Sequence, residues 1–73
     1  MNRFTWQDYI EERKDVLGGK PVFKGTRLTV EMVLDQLGMG VTNEQLLREF
    51  PTLKVEHIQA AMRFASAVIT NDA

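Results

Sequence analysis

Side chains with chemical potential gather in one stretch, Gly18-Gly19-Lys20-Pro21-Val22-Phe23-Lys24-Gly25-Thr26-Arg27-Leu28-Thr29-Val30, where three glycines and a proline alternate with Lys20, Lys24 and Arg27. Glycine-freed backbone amides beside lysines are the materials of a phosphate cradle. The order of residues rejects that chemistry, because a Walker loop needs Gly-Lys-Ser/Thr and here Thr26 follows Gly25 directly. The same cations could face a nucleotide, but nothing beside them supplies a base-stacking pocket. What remains is a shaped loop: Gly25 accepts a positive φ, Pro21 fixes φ and removes a donor, and Val22 and Phe23 offer apolar anchors. The other candidates are isolated. His57 is the sole histidine and there is no cysteine, so disulfides and thiolate metal sites are excluded and one chain holds too few ligands for zinc. As a general base His57 would need partners from another chain, and its expected place is the surface or a groove. Ser66 has no base at helical spacing, and the four methionines read as core filler. No catalytic residue, metal or cofactor is expected, and the chain is not expected to be an enzyme.

Seventy-three residues make one domain. A chain of this length buries only about 60% of its unfolded surface, so its core is marginal and oligomerisation is expected. No apolar run approaches the roughly 20 residues of a membrane span, and Asp8, Glu11 and Glu12 interrupt the N-terminus where a signal peptide would be apolar. The expectation is a soluble, cytoplasmic, unprocessed protein. Its net charge is -1, too little for a grip on nucleic acid by bulk electrostatics alone, but the charge is unevenly spread. Arg13, Lys14, Lys20, Lys24 and Arg27 face one acid, Asp15, whereas between Leu28 and Pro51 Glu31, Asp35, Glu44 and Glu49 face only Arg48. Such polarity suits a charged partner or head-to-tail self-contact.

Three helical patterns follow the loop. Val30, Val33, Leu34 and Leu37 recur at helical spacing behind a capping Thr29, with Glu31 near the positive end of the dipole. Gly38 and Gly40 end this helix, with Met39 and Val41 placed to fold back onto the core. Thr42-Asn43-Glu44-Gln45 has the form of a capping box, with Leu46, Leu47 and Phe50 as the buried stripe behind it. Pro51 stops the second helix, and Thr52-Leu53-Lys54 makes a tight turn with Leu53 as its plug. In the third helix Val55, Ile58, Met62, Ala65 and Ile69 are expected to line the core face, widened by Ala61, Phe64 and Val68, with Glu56, Gln59, Arg63 and Ser66 opposite.

A short second helix and a longer third, joined by a tight turn, fit the trihelical helix-turn-helix plan. The expected fold is mainly α: a three-helix homeodomain-like helix-turn-helix over residues 29–70, preceded by an N-terminal β/loop segment over residues 1–28. In that plan the second helix lies across phosphates and the third enters the major groove. Lys54, His57, Gln59, Ala60 and Arg63 would then meet DNA, Gln59 pairing with adenine and Arg63 with guanine, while Glu56 would repel phosphate unless it met cytosine.

Gly19-Lys20-Pro21-Val22, Lys24-Gly25-Thr26-Arg27-Leu28 and Val30 resemble the hallmark of the domain-of-unknown-function family 433. Gly40, Glu44, Leu47, Phe50-Pro51, Leu53, Ile58, Ala61-Met62 and Ala65 fall where that family's helices expect them. The resemblance runs from Trp6 to Ile69. It implies a homeodomain-like fold with a short β region ahead of it, and a bacterial VapB-type antitoxin that binds DNA and is encoded beside a PIN-like ribonuclease toxin. Arg13-Lys14 stands where the family often has Asp-Pro, and Lys54 where it usually has a capping threonine. Losing that hydroxyl typically costs about 1 kcal/mol while adding a cation near the DNA face.

The resulting expectation is a homodimeric antitoxin that represses its own operon at its operator and silences the toxin by contact. The alternative is a protein-interaction or dimerisation module that uses the helix-turn-helix only as a scaffold. Only Thr70 to Ala73 are expected after the third helix, too few for an inhibitory tail. Toxin or dimer contact is therefore expected through Trp6, Tyr9, Lys20, Val22, Phe23, Lys24 and Arg27, beside the aromatic cluster of Phe4, Trp6, Tyr9 and Ile10, with Val22-Phe23 able to pair as a strand between two copies.

Overall fold

The N-terminal segment closes on itself around one apolar side chain. The computed structural model describes residues 3–15 and 17–71. Within them a 3-10 turn at Trp6–Asp8 leads into strand β1, Ile10–Glu12, and a second at Leu17–Gly19 into β2, Pro21–Phe23. The strands pair antiparallel with Ile10 opposite Phe23 and Glu12 opposite Pro21. The second edge of β2 is also occupied: Val22 bridges Thr29, and the Phe23 amide donates to the Leu28 carbonyl at 3.0 Å. Val22 and Phe23 are both fully enclosed. The expected strand pair between copies is therefore corrected, because β2 finds both neighbours within its own chain.

Between Phe23 and Thr26 the chain turns sharply. The Thr26 amide donates to the Phe23 carbonyl at 3.0 Å, and Gly25 takes φ +77°, the left-handed value that the third residue of a type II turn requires. The Thr26 hydroxyl donates to the Phe23 carbonyl at 2.8 Å and accepts from the Leu28 amide at 3.1 Å. These bonds lock the loop that carries Lys24 and Arg27.

Local capping chemistry sets the first two helices. Helix α1, Val30–Gly38, opens with the Thr29 hydroxyl accepting from the Met32 amide at 3.1 Å. It closes in a Schellman motif, in which Val41 donates to Gln36 and Gly40 to Leu37, with Gly40 at φ +93°. Helix α2, Asn43–Glu49, carries the complete capping box, Gln45 amide to Thr42 hydroxyl and Thr42 amide to Gln45 side chain. Leu53 plugs the following turn, and helix α3 runs over Val55–Asn71.

Ile10, Phe23, Val30, Val33, Leu46, Leu53, Ile58, Ala60 and Ala61 form the core, contributed by β1, β2, the helices and the turn before α3. The architecture is mainly helical, three helices with a two-stranded antiparallel sheet. Among the described residues no helix is long and apolar enough to cross a membrane. The expected burial of α3 is rotated. Ala60, assigned to the groove-facing side, is fully buried, whereas Val55, Met62 and Ile69, assigned to the core, are 57%, 49% and 72% exposed. Met39, expected to fold back, is likewise exposed. Alanines at 60 and 61 let neighbouring elements approach α3 closely, and the larger aliphatic side chains are displaced to the other side.

Leu46 is enclosed from every direction, so Leu46→Ala is expected to lower unfolding free energy by roughly 2–5 kcal/mol in urea titrations. Gly25→Ala has open space for its methyl yet must hold a left-handed φ, and is expected to cost about 1–3 kcal/mol. An unchanged urea midpoint in either variant would contradict these assignments.

Candidate macromolecular contact face

Helix α3 divides its circumference between two tasks. One side, with His57, Ile58, Ala60, Ala61 and Phe64, packs inward on the N-terminal segment and α1. The other exposes Val55, Glu56, Gln59, Met62, Arg63, Ser66 and Ile69.

Only part of the expected DNA-reading set lies on that outer side. Gln59 and Arg63 are exposed there, and Lys54 is exposed at the helix end. His57 is turned inward. Its ring stands edge-on to Tyr9 at 5.6 Å and to Phe23 at 5.4 Å, while Nδ1 accepts the Lys54 amide at 2.9 Å. Lys54 precedes the first helical residue, so His57 occupies the third helical position and supplies the returning half of a capping box. The missing hydroxyl at Lys54 is thus partly offset by an imidazole three residues later. That spacing, an acceptor three residues past the helix boundary, was the signal in the sequence that would have revealed this role.

The expected partner-contact residues also separate. Val22 and Phe23 are enclosed and present no contact surface. Trp6 is half-buried edge-on to Phe64 at 5.0 Å, and Tyr9 is half-buried and stacked on Phe4 at 5.4 Å. The Lys20 ammonium reaches Glu31 at 3.1 Å with both side chains exposed, a pair worth about 0–1 kcal/mol. Lys24 and Arg27 are exposed on the locked turn, and neither enters an ion pair among the described residues. The Lys24 amide donates to the Tyr9 carbonyl at 2.9 Å, which seats this turn beside the aromatic stack that receives His57.

Two surfaces result. One is the cationic turn of Lys24 and Arg27. The other is an uncharged stripe along α3, Val55, Gln59, Met62, Ser66 and Ile69, flanked on one side by Glu56 and Arg63. Helix α2 meanwhile exposes Glu44 and Glu49 around Arg48, a net negative surface that phosphate would avoid. No three His, Asp or Glu side chains among the described residues gather as metal ligands.

Burial holds the His57 imidazole below its ordinary value, with Lys54 adding to the effect and Glu56 opposing it. As pH falls, the unfolded chain therefore takes up this proton before the folded one does. The stability His57 contributes is complete above about pH 6.5 and declines as pH drops through that value toward the folded one. Urea midpoints are expected to fall between about pH 7.5 and 5.5, a range in which most carboxylates stay ionised. His57→Gln keeps an acceptor at the capping position without titrating, and is expected to remove most of that fall; an equal fall in both proteins would refute the assignment.

Comparison with known proteins adds a family and no activity. The uncharacterized protein y4eO of Sinorhizobium fredii (strain NBRC 101917 / NGR234) is 34% identical over 61 residues, covering 84% of this chain. The match spans 28% of that relative's length. No solved structure matches the chain. The family described as protein of unknown function (DUF433) matches residues 10–65, a span that takes in β1, β2, the locked turn and most of α3, and the chain belongs to that family.

Proposed function

We propose that the protein is a contact module, the antitoxin member of a toxin–antitoxin pair, which acts on a PIN-like ribonuclease by binding rather than by chemistry. The exposed stripe on α3 carries this proposal. Val55, Met62 and Ile69 aligned in solvent on one face of a helix support a macromolecular contact there. The rigid turn presenting Lys24 and Arg27 supports it with a second surface suited to an acidic patch. The antitoxin part rests on the likeness of Gly19–Leu28 and the helices to antitoxins of the VapB type.

A second reading, operator binding through a homeodomain-like helix-turn-helix, is favoured by the exposure of Lys54, Gln59 and Arg63. It is opposed by the acids on α2 and by Glu56 beside Arg63, since nucleic-acid affinity rests on phosphate neutralisation. Protein contact therefore ranks first.

Co-purification with the product of the adjacent gene tests the proposal. A complex is expected, and Met62→Glu and Arg27→Glu are each expected to weaken it by about tenfold or more, as charge placed against an interface does, with thermal unfolding little changed. Absence of a complex, or indifference to both substitutions, would overturn it. In gel shifts against upstream DNA, salt-sensitive preference over random duplex, lost in Arg63→Ala, would place operator binding first instead.

A further inference from the structure

The stripe on α3 also carries information about what covers it. Val55, Met62 and Ile69 follow one another at seven-residue steps, with Gln59 and Ser66 four residues after the first two. Core-facing residues of α3 follow a separate line through Ile58, Ala61 and Phe64. The outer stripe repeats every 3.5 residues, the spacing at which two helices keep a straight seam against each other.

From this spacing and the flanking charges we infer that the stripe is a self-association seam, closed by α3 of a second copy running antiparallel. The inference rests on reading the stripe as a contact face and assigns that face to the second copy, so that ribonuclease contact falls to the Lys24–Arg27 turn of the assembled dimer and Met62→Glu weakens the ribonuclease complex by breaking the dimer. Orientation follows from the charges. A two-fold axis relating antiparallel helices brings the same flank of each into contact. The flank beside this stripe carries Glu56 and Arg63, seven residues apart. When Gln59 of one copy faces Met62 of the other, Val55 faces Ser66, and Glu56 lies two residues from the level of the second copy's Arg63. That offset is about 3 Å at the helical rise, within the reach of both side chains. The same ion pair forms twice by symmetry. A parallel pair would set this charged flank against the opposite flank, where Ile58 and Ala65 offer no charge.

The seam itself contains no formal charge, so closing it strands no ion, and Gln59 and Ser66 are able to hydrogen-bond across it. One helix pair buries less than the roughly 1,600 Å² of a standard interface, which places the dimer among weak, reversible associations.

Sedimentation equilibrium of the full chain from about 10 to 500 µM, between the micromolar and millimolar dissociation constants of weak complexes, tests the inference, with circular dichroism confirming that every variant folds. Reversible dimerisation is expected. Met62→Glu is expected to weaken it at least about tenfold, and Glu56→Arg and Arg63→Glu each several-fold, with the double exchange restoring it to within about threefold. A monomer throughout this range, or dimerisation unaffected by Glu56→Arg, would overturn the inference. If the monomer still loses ribonuclease binding on Met62→Glu, the seam is refuted while the stripe remains a contact face. If Met62→Glu changes neither, both fall.

Discussion

Burial of Phe23 is the constraint on which the other elements depend. Its backbone is hydrogen-bonded toward Leu28, its carbonyl takes both the amide and the hydroxyl of Thr26, and its ring meets the edge of His57. One residue thereby ties the strand pair, the locked turn and the start of α3. The ring is wholly removed from water, and full burial of a side chain this size stabilises by roughly 1.5–3 kcal/mol. In a chain whose own core is marginal, that is a large share of the whole. It also gives the glycine-rich stretch a structural task. Gly25 turns the backbone just after Val22 and Phe23, both of which stay enclosed, and the cations before and after them, Lys20, Lys24 and Arg27, are left exposed.

Once Phe23 is seated, the two sides of α3 have different fates. The inward side must admit a strand pair, an aromatic stack and α1 at close range, and alanines at 60 and 61 permit that approach. His57 joins this side because its ring matches Tyr9 and Phe23 edge-on and its Nδ1 satisfies an amide at the helix start. A neutral imidazole serves both contacts; the burial that seats it also resists its protonation. A residue that looked like a base reader or a latent catalyst is thereby committed to holding the helix in place.

How much of this was legible follows the range of each interaction. The caps of α1 and α2 and the Leu53 plug depend on residues three to five apart, and each was readable as written. The pairing of β1 with β2 was not, because three-residue strands are too short to show alternation and their partners lie nine to thirteen residues apart. Burial on α3 failed for another reason. The helix is apolar on two adjoining stripes, one led by alanines and one by Val55, Met62 and Ile69, and periodicity favours the bulkier. Which stripe turns inward is decided by how close Phe23 and α1 must come, a tertiary distance with no local signature. Exposure of Gln59 and Arg63 survived the rotation, whereas His57 and Ala60 did not.

The rotated stripe also separates two functions that a single reader face would have merged. A helix whose outer side holds Val55, Met62 and Ile69 would place apolar groups beside phosphates if it entered a groove, and the nearest polar neighbour pair, Glu56 and Arg63, cancels in charge. Against another protein surface the same arrangement is favourable, because apolar area is removed from water and the two charges orient the partner. Both edges of β2 are already occupied, so β2 itself offers no site for a strand from outside. The outer side of α3 and the Lys24–Arg27 turn are two exposed surfaces suited to contact, and the turn lies against the aromatic stack at the start of that same helix. A partner that engages the turn therefore touches an element bonded to Tyr9, whose ring meets His57 at the start of α3, so a short chain of contacts connects the two surfaces.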